Sequence, residues 1–69
     1  MKLKEYITQN KLSLKKFHQS LCDHTKKEIP ISSVHRWING NRKPADSVIS
    51  DAIVLLTDGQ VTYRDIYGD

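Results

Sequence analysis

Apolar residues fall at helical spacing in four successive windows of this chain, and nowhere do they alternate as in a strand. Leu3, Tyr6 and Ile7 share one face of residues 2–10, with Lys2, Lys4 and Glu5 off it, and Asn10-Lys11 breaks the pattern. Leu14, Phe17 and Leu21 line a second helix that opens at Ser13, whose hydroxyl can accept from a first-turn N–H. Val34, Trp37 and Ile38 make the apolar side of a third helix. Gly40 stops it after Asn39, because glycine takes the left-handed conformation without steric cost, and Pro44 blocks any continuation. Ala45, Val48, Ile49, Ala52, Ile53 and Leu56 give the longest periodic run, with Asp46 in its first turn, where the helix dipole favours an anion. Val54 points away from that stripe, and Thr57-Asp58-Gly59 closes the helix. In the tail, Thr62 with Asp65 forms a short-armed capping box for one more turn, with Ile66 and Tyr67 packing back. Residues 22–28 have no apolar period; they either extend the second helix by a turn or form a loop.

Four helices and a terminal turn in 69 residues make a single all-α domain, a compact bundle of four to five helices spanning 1–69. A chain of this length sits near the lower limit for an independent core, so compact packing or a partner copy is expected. One cysteine excludes an internal disulfide, no apolar signal stretch opens the chain, and the longest apolar run, Ala52–Leu56, is far short of a membrane span. The expected setting is the reducing cytoplasm.

Charge sharpens the picture. The net charge is only +3, but residues 1–44 carry ten of the eleven Lys/Arg and three acids, while residues 45–69 carry one Arg against five Asp. One half can attract a polyanion while the other faces away or meets a partner. The central stretch, residues 29–44, concentrates the relevant chemistry. Ile31, Ser32, Ser33, His35 and Arg36, mostly small or hydrogen-bonding, cover the remaining surface of the third helix, and Arg42 and Lys43 follow in the loop. A helix with small outward side chains and cations just beyond it suits the major groove of a duplex.

Val34-x-x-Trp37-Ile38-Asn39-Gly40-x-Arg42-x-Pro44, with Leu12-Ser13 opening the second helix and Gly59-x-Val61-Thr62-x-x-Asp65-Ile66 in the tail, resembles the lambda-repressor-like and Cro-like helix-turn-helix regulators of phages and bacteria. The likeness covers residues 1 to about 67. It implies that residues 13–22 are the first helix of the motif and 31–39 the recognition helix. It also implies that Ile31, Ser32, Ser33 and Arg36 contact bases, that Lys15, Lys16, His35, Asn39, Asn41, Arg42 and Lys43 contact phosphate, and that Val34, Trp37, Phe17 and Leu21 are buried. Ile31 either packs on a thymine methyl or staples onto the core; Lys15 and Lys16 either meet phosphate or line a solvated face. The function implied is sequence-specific binding of double-stranded DNA by a transcriptional regulator, a Cro-like repressor acting as a homodimer on an operator and controlling its own gene, in a bacterial or phage-infected cell. Val54, Tyr63, Ile66 and Tyr67 are the expected dimer interface. The alternative is an antitoxin-type module that binds a partner protein as well as DNA.

Three features depart from that family pattern. About six extra residues, near Cys22–Lys27, stand where a turn of about four is usual. His18 occupies a position usually held by a small residue where the two helices cross, and Pro30 sits near the usual Ser/Thr cap. All three bear on the crossing angle. His18, Cys22 and His24 fall short of the four ligands that structural zinc takes, so no metal and no cofactor is expected. No Ser-His-Asp order, phosphate loop or apolar carboxylate pair is present, so no enzyme activity is expected either.

Overall fold

The computed structural model describes residues 1–68; Asp69, the last residue of the expected domain, lies outside the described part. The described residues form five helices and no strand: α1 (Leu3–Gln9), α2 (Leu14–Thr25), α3 (Ile31–Asn39), α4 (Ser47–Leu56) and α5 (Tyr63–Tyr67). The all-α expectation therefore holds. Helix α2 packs on both α3 and α4, α1 packs on α3, and α5 packs on α4.

Local chemistry sets the helix ends. Ser13 Oγ accepts from the Lys16 N–H at 3.0 Å, as its N-cap position requires. Asp46 Oδ1 accepts from the Val48 N–H at 2.9 Å, which makes Asp46 the N-cap of α4 rather than a first-turn residue. Thr62 and Asp65 form the reciprocal capping box of α5. Gly40, at φ +77°, closes α3 in the left-handed conformation. Thr57 closes α4 from within: its fully buried hydroxyl donates to the Ile53 carbonyl at 2.9 Å and accepts from the Val61 N–H at 3.2 Å.

Residues 22–28 split between the two alternatives. Helix α2 runs to Thr25, not to residue 22, because Cys22–Thr25 continue its hydrogen-bonding and Thr25 Oγ1 donates to the Leu21 carbonyl at 2.8 Å. The connection to α3 is thus only residues 26–30, and Lys26 opens it in the left-handed region at φ +56°. A further correction concerns α4. Ala45 precedes the helix and is exposed, since Asp46 caps one residue later. Val48, placed on the apolar stripe by spacing, is 46% exposed.

The core is one cluster. Leu21, Val34, Ile53 and Val61 are fully buried, with Leu3, Ile7, Phe17, Ile29 and Ala52 around them. Leu21 and Phe17 come from α2, Val34 from α3 and Ile53 from α4, so the same apolar contacts seat all three helices. Trp37, expected to be buried, is only half-buried; it packs against the core edge.

Candidate nucleic-acid interface

Helix α3 spans the residues expected from its sequence pattern. Val34 anchors it, with Trp37 and Ile38 packed at the core edge. Spacing of three and four then turns Ser32, His35, Arg36 and Asn39 outward, and all four are exposed. Ile31, at 45% exposed, is solvent-facing rather than stapled inward, whereas Ser33 is half-buried. The Asn39 side-chain amide donates to His35 Nε2 at 3.0 Å, an i, i+4 pair that holds both side chains along the outer face.

Three positional details bear on how α3 is presented. Pro30 is its N-cap and supplies no side-chain cap, so its φ of −60° sets the entry while the first-turn N–H groups lack a side-chain acceptor. His18 bridges from α2 to the connection, its Nε2–H donating to the Ile29 carbonyl at 2.6 Å, with Cys22 Sγ 3.4 Å from the same nitrogen. The Lys27 ammonium meets the Asp46 carboxylate at 2.6 Å and ties the connection to the start of α4. Lys27, followed by the Val48 N–H, holds the Asp46 pKa below its ordinary value.

The cations differ in what they already touch. Among the described residues, Arg36, Arg42, Lys15 and Lys16 have no side-chain partner, and all are exposed. Lys43 is exposed but engaged, its ammonium donating to the Tyr67 carbonyl at 2.6 Å at the end of α5. Asn41 and Arg42 lie at the turn after α3, where both backbone N–H groups donate to the Arg36 carbonyl at 3.0 and 3.3 Å. Lys15 and Lys16 sit in the first turn of α2, joined to α3 through the packing of the two helices. His18 and Cys22 meet, but no group of three or more His, Cys, Asp or Glu among the described residues is placed to hold a metal ion.

The expected interface residues Val54, Tyr63, Ile66 and Tyr67 divide. Ile66 is half-buried against the core, and the Tyr67 hydroxyl donates to the Pro44 carbonyl at 2.8 Å, so both help close the fold. Val54 is half-buried. Tyr63 is 49% exposed, and its hydroxyl donates to Asp51, a hydrogen bond that raises the tyrosine pKa. Asp51 stands between Val48 and Leu55 on one side of α4, and Leu55 is 66% exposed. Val48 and Leu55 are the surface residues that sequence reasoning missed. The signal was available: α4 is apolar on more than one side, which a helix with a single buried face does not need.

Comparisons with protein-family models, with characterised proteins and with solved structures find nothing that matches this chain.

Proposed function

We propose that the chain is a helix-turn-helix DNA-binding protein in which α2 and α3 form the motif and α3 reads the major groove. The observation that carries this reading is the outward row Ser32, His35, Arg36 and Asn39 on a helix whose opposite side is fastened to the core by Val34. The row is small or hydrogen-bonding, its guanidinium has no partner among the described residues, and Arg42 stands just beyond it. Arg36 donates two hydrogen bonds to guanine N7 and O6. Ser32 and Ile31, at the leading end, meet a base edge and a thymine methyl. Arg42, Lys15 and Lys16 neutralise phosphates, and this term makes affinity fall with salt. Lys43 contributes to phosphate only by exchanging its bond to the Tyr67 carbonyl, which ranks it below Arg42.

One recognition helix touches few base pairs, so two copies bind an inverted repeat with half-sites about 10–10.5 bp apart. The face that pairs them is Val48, Leu55 and Tyr63 around Asp51, which replaces Ile66 and Tyr67 in that role. Covering a promoter in this way excludes polymerase, so the regulator is a repressor. A partner protein on the same apolar face is the second reading; hetero-association that persists without DNA favours it.

The test is selection of duplexes from a random pool, followed by shift assays at two salt concentrations. Arg36→Ala loses affinity for the selected duplex and little for random DNA. Lys15→Ala loses affinity for both alike and shows a shallower salt slope. Equal losses on both duplexes for Arg36→Ala remove α3 as the reading element.

A further inference from the structure

We infer that the cleft beneath the C-terminal end of α3 is a binding site for a small, flat monoanion of the one-ring carboxylate class. It holds about 160 Å³ and lies among the start of α1, the end of α3, the following loop and α5. Its walls combine two chemistries. Leu3, Trp37 and Ile66 supply apolar surface over the buried Ile53, while Lys2 and Arg42 bring positive charge. Neither cationic side chain has an ionic or hydrogen-bonded partner among the described residues. The other two charges on the lining are already engaged: Lys43 donates to the Tyr67 carbonyl, and Asp65 is matched by the Met1 ammonium at 2.8 Å. Among the described residues, the cleft therefore carries surplus positive charge beside the half-buried indole.

Size and geometry narrow the ligand. A cavity of about 150 Å³ accepts a benzene ring, so one ring fits here and a nucleotide does not. A planar guanidinium matches a carboxylate with two parallel N–H···O bonds, and a ring packs on tryptophan. The site is smaller than the roughly 300–1,000 Å³ of most ligand pockets, so the affinity is modest, in about the millimolar range. Trp37 belongs to α3, and Gly40, the stop of that helix, also lines the cleft. Occupancy draws Arg42 away from phosphate and lowers DNA affinity; this consequence, unlike the binding itself, rests on the proposed function.

Trp37 is the chain's sole tryptophan, which gives a direct readout on the intact protein without DNA. Titrated benzoate changes Trp37 fluorescence saturably. Neutral benzamide and ring-free inorganic phosphate each bind at least about tenfold more weakly. Arg42→Ala weakens benzoate by about tenfold and Lys2→Gln by less, while Lys11→Ala, outside the cleft, leaves it unchanged. Arg42 is exposed, and circular dichroism checks that the variant keeps its helices. A linear, unsaturable response matching that of free tryptophan amide overturns the inference. So does benzamide or phosphate binding as well as benzoate, or Arg42→Ala binding like the parent. A shift assay with saturating benzoate then separates the two readings. Saturable benzoate binding by a protein that binds no duplex defeats the DNA proposal alone, and DNA binding without any benzoate site defeats this one alone.

Discussion

The surface of α3 and the surface of α4 with α5 expose different balances of polar and apolar side chains. Along α3 and its following loop, the exposed side chains are mostly hydroxyl, amide, imidazole and cationic, with Ile31 among them, and Arg36 and Arg42 have no side-chain partner among the described residues. Along α4 and α5 the exposed apolar and aromatic side chains are Val48, Leu55, Tyr63 and Tyr67, the first three near the Asp51 carboxylate, with Arg64 the exposed cation. An exposed cation is at ease in water and gains chiefly from a polyanion, by releasing counterions in a salt-dependent way. An exposed apolar side chain gains from any surface that excludes water, and salt does little to weaken that gain. On the proposed reading the two faces suit different partners, and ionic strength should separate them: raising it should weaken a polyanion on α3 and spare an apolar partner on α4.

The largest expected effect removes the comparison altogether. Leu21 is fully buried where α2 meets its neighbours, and Leu21→Ala costs about 2–5 kcal/mol. A domain this small has only about that much stability to lose. Urea denaturation of the variant should show a largely unfolded population, with DNA binding and self-association lost together. Survival of either one alone means that the two faces are not seated on a common core.

Next come two substitutions that separate the faces. Arg36→Ala removes about 1–3 kcal/mol of binding to a selected duplex and leaves self-association untouched. Leu55→Glu does the reverse, adding a carboxylate beside Asp51 on the apolar strip. Sedimentation should then show less dimer, with α3 still binding a half-site. Both positions are exposed, so each variant unfolds within about 0.5 kcal/mol of the parent. If Leu55→Glu leaves the sedimentation profile unchanged, α4 is not the pairing face.

The contrast between the faces was only partly legible in the sequence. Helix α3 could be read almost to the residue, because Val34, Trp37 and Ile38 fix its inner side and Gly40 with Pro44 fixes its end. The caps at Ser13 and Thr62 were equally plain, since a hydroxyl or carboxylate at such a position acts on N–H groups two or three residues away. Tertiary partners were not legible. Nothing local tells that His18 reaches the Ile29 carbonyl eleven residues on, or that Lys43 turns from solvent to the end of α5. The apolar face of α4 was missed in part for a related reason. Leu55 lies off the helix's periodic run, a signal passed over, whereas Val48 lies on that run with Ile53, and only packing decides that Ile53 goes in while Val48 stays out.

His18 sets the size of the next effect. Its ring N–H is the side-chain donor on the Ile29 carbonyl, and Ile29 is buried immediately before the Pro30 cap of α3. His18→Ala should cost about 1 kcal/mol through that hydrogen bond. Its sharper signature is loss of affinity on the α3 side alone, because the entry to α3 loosens while α4 and α5 keep their contacts. A thermal melt and a shift assay on the same variant read the two quantities. Equal weakening of DNA binding and self-association would mean that His18 supports the fold in general.

The smallest effect belongs to the other face and is read by pH. The Asp65 carboxylate accepts from the Met1 ammonium at 2.8 Å and from the Thr62 N–H at 3.0 Å, and these contacts, the ammonium first, hold its pKa at about 2. A carboxylate whose pKa is depressed in the folded state stabilises the fold above its unfolded value, about 3.9, and that contribution disappears as pH falls toward the folded value. Asp46, held down by Lys27, shifts in the same sense, so the two must be separated by substitution rather than by an acid titration of the parent alone. Asp65→Asn should therefore lower the melting temperature slightly at pH 6, with the difference narrowing below about pH 4. Added salt should shrink the gap at pH 6, because the group is exposed and its ion pair is screened. Because α5 is the element fastened by Asp65, acid should loosen the α4 and α5 face before α3. Hydrogen exchange would show this as earlier loss of protection at Ile66, whose N–H bonds the Thr62 carbonyl, than at Val34. A melting-temperature gap that stays constant from pH 6 to pH 3 would mean that the Asp65 charge plays no part in holding α5.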